Sequence, residues 1–136
     1  MSDDNKNVKI PALRTHGITT WLQEFRGYLM GYKRAQRALT TERPEEKEEE
    51  LAALANNPTQ LRRYKEDVKD DQDLWDERND IVCNRLIESA KDPHNSEARQ
   101  MIYAGIKAER NAKEICDELT TRFASTDSRV VNAAIK

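Results

Sequence analysis

Apolar side chains recur at helical spacing over the whole stretch between residues 58 and 91. Their separations of 3, 4, 7, 7 and 4 residues place them on one face of an α-helix. Asn57 and Pro58 supply its start, because Asn is a favoured N-cap and Pro is tolerated at the first helical position. The pattern predicts a helix from Pro58 to about Lys91, with a stripe of Leu61, Tyr64, Val68, Trp75, Val82 and Leu86.

Such a helix would be long, since the mean α-helix has roughly 11–12 residues. Between Glu66 and Asp80 the positions outside the stripe are nearly all charged or polar, which indicates solvated surface. A break near Asp70 or Asp71 is therefore the alternative to one continuous helix.

A second apolar stripe near the N-terminus predicts the first helix, with Thr19 or Thr20 as its N-cap. Gly27 and Gly31 weaken this helix, which favours a break near Gly31 and a short continuation to Leu39. Ahead of it, residues 8–13 are apolar and contain Pro11, so they predict an extended segment lying on the domain. The stripe consists of Trp21, Phe25, Tyr28, Leu29 and Tyr32.

The remaining helix boundaries follow from proline and capping patterns. Pro44 is placed as the first residue of an acidic helix that runs through Leu51 and Leu54. Ser96 can cap a short helix after Pro93. Asn111 with Glu114 three residues later has the form of a capping box. It opens a helix whose buried face would be Ala112, Ile115, Leu119 and Phe123, followed by a turn at residues 124–128.

The predicted fold class is all-α, a compact bundle of about five to seven helices. Charged residues make up 35% of the 136 residues and aromatic residues only 6%, a composition that favours helices over strands. Residues 1–9 are expected to form a flexible tail and residues 10–126 the helical domain. Residues 127–136 would begin a further helix or a linker, and we expect this element to continue beyond Lys136.

Several function classes are disfavoured by the charge balance and the motifs. A net charge of -2 argues against a primary nucleic-acid binder, which needs clustered cations. No apolar run approaches the roughly 20 residues that cross a bilayer, and the N-terminus lacks a signal-peptide pattern. With Cys83 and Cys116 expected as free buried thiols, we predict a cytoplasmic protein that does not bind membranes.

No pattern of catalytic or metal-binding residues is present. His16 and His94 are far apart in sequence, and neither belongs to a zinc motif. The carboxylates lie in charged runs typical of solvated helix faces, and no phosphate loop or nucleophile motif occurs. We therefore predict no enzyme activity, no cofactor, no metal and no small-molecule substrate. The aromatic residues near Arg26 and Arg37 would permit an accessory RNA contact, but their helical spacing favours core packing.

Three segments together resemble the Gag proteins of copia-type retrotransposons. The first is Ile10-Pro-Ala-Leu13 with His16-Gly-Ile-Thr-Thr-Trp-Leu-Gln-Glu-Phe25 and Tyr28-Leu-Met30. The second runs from Asp73 to Leu86, and the third, from Asn111 to Phe123, is similar to the family's Ala-Lys-Glu-x-Trp-x-x-Leu segment. The matching apolar positions are Trp21, Phe25, Leu29, Trp75, Leu86, Ala112, Ile115, Leu119 and Phe123.

This resemblance implies a capsid N-terminal domain that associates with copies of itself into virus-like particle shells around the element's RNA. The family's zinc knuckle is absent from this sequence, so RNA would be bound mainly by regions outside this chain. Two features depart from the family pattern. Ile115 and Cys116 stand in the part of the segment where tryptophan is common, and the polar stretch from Thr41 to Arg63 is longer than the usual connection.

Two other hypotheses remain open. One is a helical adaptor that binds a partner's helix, including a domesticated Gag-derived host protein. The other is a helical regulatory domain of a larger enzyme. Self-association at high concentration distinguishes the capsid hypothesis from the adaptor, which should stay monomeric or dimeric.

Overall fold

The computed structural model describes the backbone of residues 9–135 and the side chains of residues 9–124. Within this range the fold is all-α, with six α-helices and no strand, which confirms the predicted class. The helices are α1 (Ile18–Leu29), α2 (Arg37–Thr40), α3 (Glu48–Ala53), α4 (Pro58–Ser89), α5 (Ser96–Lys107) and α6 (Ala112–Ile135). A short 3-10 turn, Pro93–Asn95, precedes α5.

The core lies between α1, α2, α5, α6 and the second half of α4. Trp21 and Phe25 of α1 stack with ring centroids 4.9 Å apart, and both are almost completely buried. Val82 and Leu86 from α4 join them, together with Leu119 from α6. We call this assembly the bundle.

The chain before α1 is extended and attached to the bundle by hydrogen bonds. Trp21 donates its indole N–H to the Pro11 carbonyl at 3.0 Å, and the Leu13 amide donates to the Ser89 carbonyl at 2.9 Å. Asn95, which is buried, donates its side-chain amide to the Leu13 carbonyl at 2.8 Å. The predicted extended segment is confirmed for residues 9–13, while residue 8 and the rest of the predicted tail lie outside the described residues.

Two predicted caps are confirmed by their hydrogen bonds. Asn57 accepts from the Gln60 amide at 3.2 Å and starts α4 directly before Pro58. In the capping box, the Glu114 amide donates to Asn111 Oδ1 at 2.8 Å, and the Asn111 amide donates to Glu114 Oε1 at 3.1 Å. Both signals are local, so they do not depend on tertiary packing.

Other predicted boundaries are wrong. α1 begins at Ile18 after Gly17, whose φ of 75° places the backbone in the left-handed region, so neither threonine caps it. By contrast, the long helix predicted from Pro58 to about Lys91 is confirmed, because α4 runs through Asp70 and Asp71 without a break and ends at Ser89. The predicted cap at Ser96 is also wrong. Ser96 is the first residue of α5, and Asn95 is the residue before the helix.

Two further corrections concern Pro44 and the C-terminal segment. Pro44 is not the first residue of a helix, because residues 42–47 form no helix and α3 begins only at Glu48. The turn predicted at residues 124–128 does not occur, since α6 continues as helix to Ile135. Polar composition suggested a turn there, but an α-helix also accommodates such residues on a solvated face.

Candidate interaction surfaces

The first half of α4 extends outside the bundle together with the chain that precedes it. A hydrogen bond joins Lys47, directly before α3, to Tyr64 in α4, so the chain reverses at the four-residue connection 54–57 and the two helices form a hairpin. We call residues 41–74 the arm. Between α2 and α3 the chain follows α4 through three side-chain hydrogen bonds. Trp75 Nε1 donates to the Thr41 carbonyl at 3.3 Å, Gln72 Nε2 to the Pro44 carbonyl at 2.8 Å, and the Lys47 amide to Tyr64 Oη at 2.8 Å.

The apolar residues of the arm are incompletely covered. α3 contains no buried residue, and α4 has none before Trp75. Leu74 is 38% exposed. The arm therefore carries an apolar seam that the bundle does not enclose, formed by the half-buried residues Leu51, Leu54, Leu61, Tyr64 and Val68.

The outer surface of the arm is acidic. Residues 42–50 include six glutamates and two basic residues, and all six glutamates are exposed. Glu48, Glu49 and Glu50 lie in the first turn of α3, where negative charge is favourable to the helix dipole. Within the part of the chain whose side chains are described, residues 45–50 form no ion pair. Their charge is thus directed to solvent.

An ion pair fixes the base of the arm to the bundle. The Arg43 guanidinium donates two hydrogen bonds to the Asp76 carboxylate, at 2.9 and 3.0 Å. These hydrogen bonds lower the pKa of the Asp76 carboxyl below its usual range, because they stabilise its charged form. Both side chains are about half exposed, so the pair contributes little to stability while it fixes the direction of the chain.

A basic turn lies beside the base of the arm. We define it as residues 33–37, which carry Lys33, Arg34 and Arg37. Lys33 and Arg34 have φ of 54° and 56°, in the left-handed region that non-glycine residues rarely occupy. α4 holds this conformation, because Arg78 Nε donates to the Lys33 carbonyl at 2.9 Å and Lys33 forms an ion pair with Glu77.

The aromatic residues next to the basic turn pack inside the molecule. Tyr28 is 8% exposed, and its ring centroid lies 4.9 Å from that of Tyr32. Burial raises the pKa of Tyr28 to about 12. The guanidinium of Arg85 lies 4.8 Å from the Tyr32 ring centroid, in a cation–π contact. Since these rings are occupied by intramolecular contacts, they offer little surface on which bases could stack.

The residues singled out by the family resemblance are all buried. Eight belong to the connected core of the bundle, whereas Trp75 is buried apart from that core, at the base of the arm. Ile115 contacts α5 at Gly105, where an added Cβ would lie 2.6 Å from Ile115 Cγ1. The helices approach so closely that little room remains for a larger side chain on either of them. These residues hold the helices together and are too buried to bind a partner directly.

The two cysteines are poorly suited to nucleophilic chemistry. Cys116 is buried as predicted, whereas Cys83 is only partly buried, which corrects that half of the prediction. Burial raises the pKa of the Cys83 thiol to about 11 and raises that of Cys116 further. At neutral pH both are therefore thiols rather than the reactive thiolates. Among the described residues, no group of three or more His, Cys, Asp or Glu side chains could hold a metal ion.

A cleft of about 620 Å³ separates α4 from the connection between α5 and α6. Trp75, Asp80 and Ile87 line it from α4, and Ile106 and Glu109 line it from the opposite side. It combines apolar and charged groups and is open to solvent. In the described part of the chain, no helix is long and apolar enough to cross a membrane.

Neither the arm nor the basic turn is predicted as a surface by the sequence. The length of α4 was a signal for the arm, because a helix far longer than its neighbours must leave part of its length unpacked. No local signal identified the turn, since its left-handed residues are lysine and arginine rather than glycine. Comparisons of this chain with models of protein families, with curated proteins and with solved structures find no match.

Proposed function

We propose that this chain is a structural protein-binding module that associates with copies of itself, as the capsid domain of a copia-type retrotransposon Gag would. The observation that carries the proposal is the arm. It places a half-covered apolar seam and an acidic surface outside a well-packed bundle, where another protein can reach them. An assembly of many copies needs only modest contacts of this kind, because several neighbours hold each subunit at once.

The Gag identity is supported by the three sequence segments that resemble this family and by the all-α fold in which their apolar residues are buried. In this proposal the long polar insertion between the first and middle helices corresponds to the arm. The insertion that departs from the family pattern is thus the part that offers a surface for contacts. The element's RNA would be bound mainly by sequence outside residues 1–136.

Analytical ultracentrifugation of the 136-residue chain over a wide concentration range tests this proposal. We expect species larger than dimers to grow with concentration, and electron micrographs of concentrated samples to contain rings or shells. A chain that stays monomeric or dimeric at the highest concentrations would refute self-assembly.

The second candidate function is a helical adaptor, and the cleft beside α4 favours it. Its lining combines Trp75, Ile87 and Ile106 with charged residues, which suits one face of an amphipathic partner helix. A substitution that fills this cleft from an exposed lining position, such as Asn84→Trp, separates the two functions. If the arm mediates assembly, the variant should still self-associate, whereas it should no longer bind a partner helix in the cleft.

A further inference from the structure

The glutamates at the beginning of α3 lie too far from the basic turn of the same molecule to neutralise it, although the acidic surface starts at Glu42 beside the base of the arm. The beginning of α3 is located beside Tyr64, through the hydrogen bond from the Lys47 amide, whereas the basic turn is held at Glu77 and Arg78. The length of α4 between Tyr64 and Glu77 corresponds to about 20 Å at roughly 1.5 Å per residue. This exceeds the distance of about 8 Å over which salt screens exposed charges under physiological conditions.

The basic turn also departs from the rules that usually stabilise a fold. Arg34 adopts φ of 56° although its exposed side chain forms no ion pair or hydrogen bond in the described part of the chain. Glycine would adopt this conformation without strain. The neighbouring Gln36 has a buried side-chain oxygen without a hydrogen-bond partner among the described residues. Strained backbone and unpartnered buried polar atoms occur preferentially at the binding and active sites of proteins.

We propose that the acidic arm of one copy of this chain docks onto the basic turn of a second copy, with Arg34 and Arg37 as the residues that receive it. The charges are complementary, and each copy carries one surface of each sign. The half-covered apolar seam of the arm adds area that docking would bury. This inference rests on the proposed self-association and specifies the surfaces that mediate it.

The contact joins two different surfaces, so it is heterologous. Each molecule then has a free arm and a free turn after the first contact, and further copies can add. Such an arrangement closes into a ring when the rotation between copies permits, and otherwise extends as a filament. Because the contact depends on exposed charges, high salt should weaken it.

Two variants that each lose one surface provide the test. Arg34→Gln/Arg37→Gln neutralises the turn, and Glu46→Gln/Glu49→Gln neutralises part of the arm. We expect each variant alone to associate about tenfold more weakly than the wild type, as for charges that pair across an interface. An equimolar mixture should form heterodimers that do not grow, because only the intact arm of the first variant and the intact turn of the second can pair.

The control is Arg99→Gln/Lys107→Gln, which removes two exposed positive charges from α5. It should associate as the wild type does. If the wild type itself fails to associate, the proposed function is refuted. If the wild type associates and the arm and turn variants do so equally well, only the docking inference is overturned.

Arg34→Gly gives a readout that a purely structural role would not produce. Relief of the left-handed strain should raise the Tm by roughly 2–5 °C, while loss of the charge weakens self-association. A variant that is more stable and associates as strongly as the wild type would overturn the role of Arg34. Equally, if single-stranded RNA binds the wild type and is lost from Arg34→Gln/Arg37→Gln while self-association is unchanged, the turn serves RNA and the inference is wrong.

Discussion

The two halves of α4 have the same apolar periodicity but different environments. In the second half, Val82 and Leu86 are completely buried among side chains from the other bundle helices. In the first half, Leu61 and Val68 are only partly buried, because only the α2–α3 connection and α3 lie alongside. A regular stripe therefore identifies which face of a helix is apolar, but the depth of burial depends on how many other elements reach that face.

The bundle and the arm are therefore stabilised by different kinds of interaction. The bundle depends on buried apolar area, which contributes roughly 25 cal/mol per Å². The chain before α3 is held along α4 mainly by individual hydrogen bonds at exposed or partly buried positions. Regions with few buried contacts open locally at lower free energy than the core.

The largest expected difference between the two regions comes from one substitution made in each half of α4. Leu86→Ala should lower the free energy of unfolding by about 2–5 kcal/mol, because it leaves a cavity in the bundle. Leu61→Ala should cost less than about 1 kcal/mol, since its side chain is already partly in water. Urea denaturation of both variants measures the difference. Similar losses at the two positions would mean that the arm is packed as tightly as the bundle.

The close contact between α5 and α6 predicts a smaller effect. Gly105→Ala places a Cβ against Ile115, which should cost about 1–3 kcal/mol through overpacking, partly offset by about 1 kcal/mol of helix propensity. Gly27→Ala on α1 is the matched control, because nothing lies within 4 Å of its added Cβ. That variant should be more stable by about 0.5–1 kcal/mol. Thermal denaturation that shows the same sign for both glycines would contradict the close approach.

Removing one asparagine N-cap from a helix of the bundle and one from the arm tests the same difference in stability. Asn111→Ala at the start of α6 should lower the free energy of global unfolding by about 1 kcal/mol, since α6 belongs to the bundle. Asn57→Ala removes the same kind of cap from the arm, which can open without unfolding the bundle. We expect its effect on global unfolding to be smaller and its effect on amide exchange in the first turns of α4 to be larger. Equal effects on global unfolding would show that the arm unfolds together with the bundle.

The smallest expected effect concerns the base of the arm. Because Arg43 depresses the pKa of Asp76, the ion pair stabilises the fold above the usual carboxyl pKa, and this contribution is lost as the pH falls through the lower, folded-state pKa. Asp76→Asn should therefore cost less than about 1 kcal/mol at neutral pH and nothing in strong acid. Denaturation measured at both pH values tests this. Asp70→Asn, at an exposed position of the same helix, should have little effect at either.

Much of the fold could be predicted because its signals are local. Asn57, Pro58 and the Asn111–Glu114 capping box act through backbone groups within one helical turn, so their roles follow from spacing. The boundaries at Pro44, Ser96 and residues 124–128 were wrong because proline, serine and polar runs are compatible with more than one structure. At Pro44 a contact from a distant residue made the choice, through the hydrogen bond between Gln72 and the Pro44 carbonyl.

By itself the sequence determined the helical class, the apolar face of each main helix and the capped starts of α4 and α6, since hydrophobic periodicity and caps are properties of neighbouring residues. Only the tertiary structure decided that α4 extends beyond the bundle, that Gly105 meets Ile115, and that Lys33 and Arg34 adopt left-handed backbone conformations. Each of these depends on the distance between residues far apart in the chain. The candidate interaction surfaces belong to this second group, because exposure is defined by what the rest of the fold leaves uncovered.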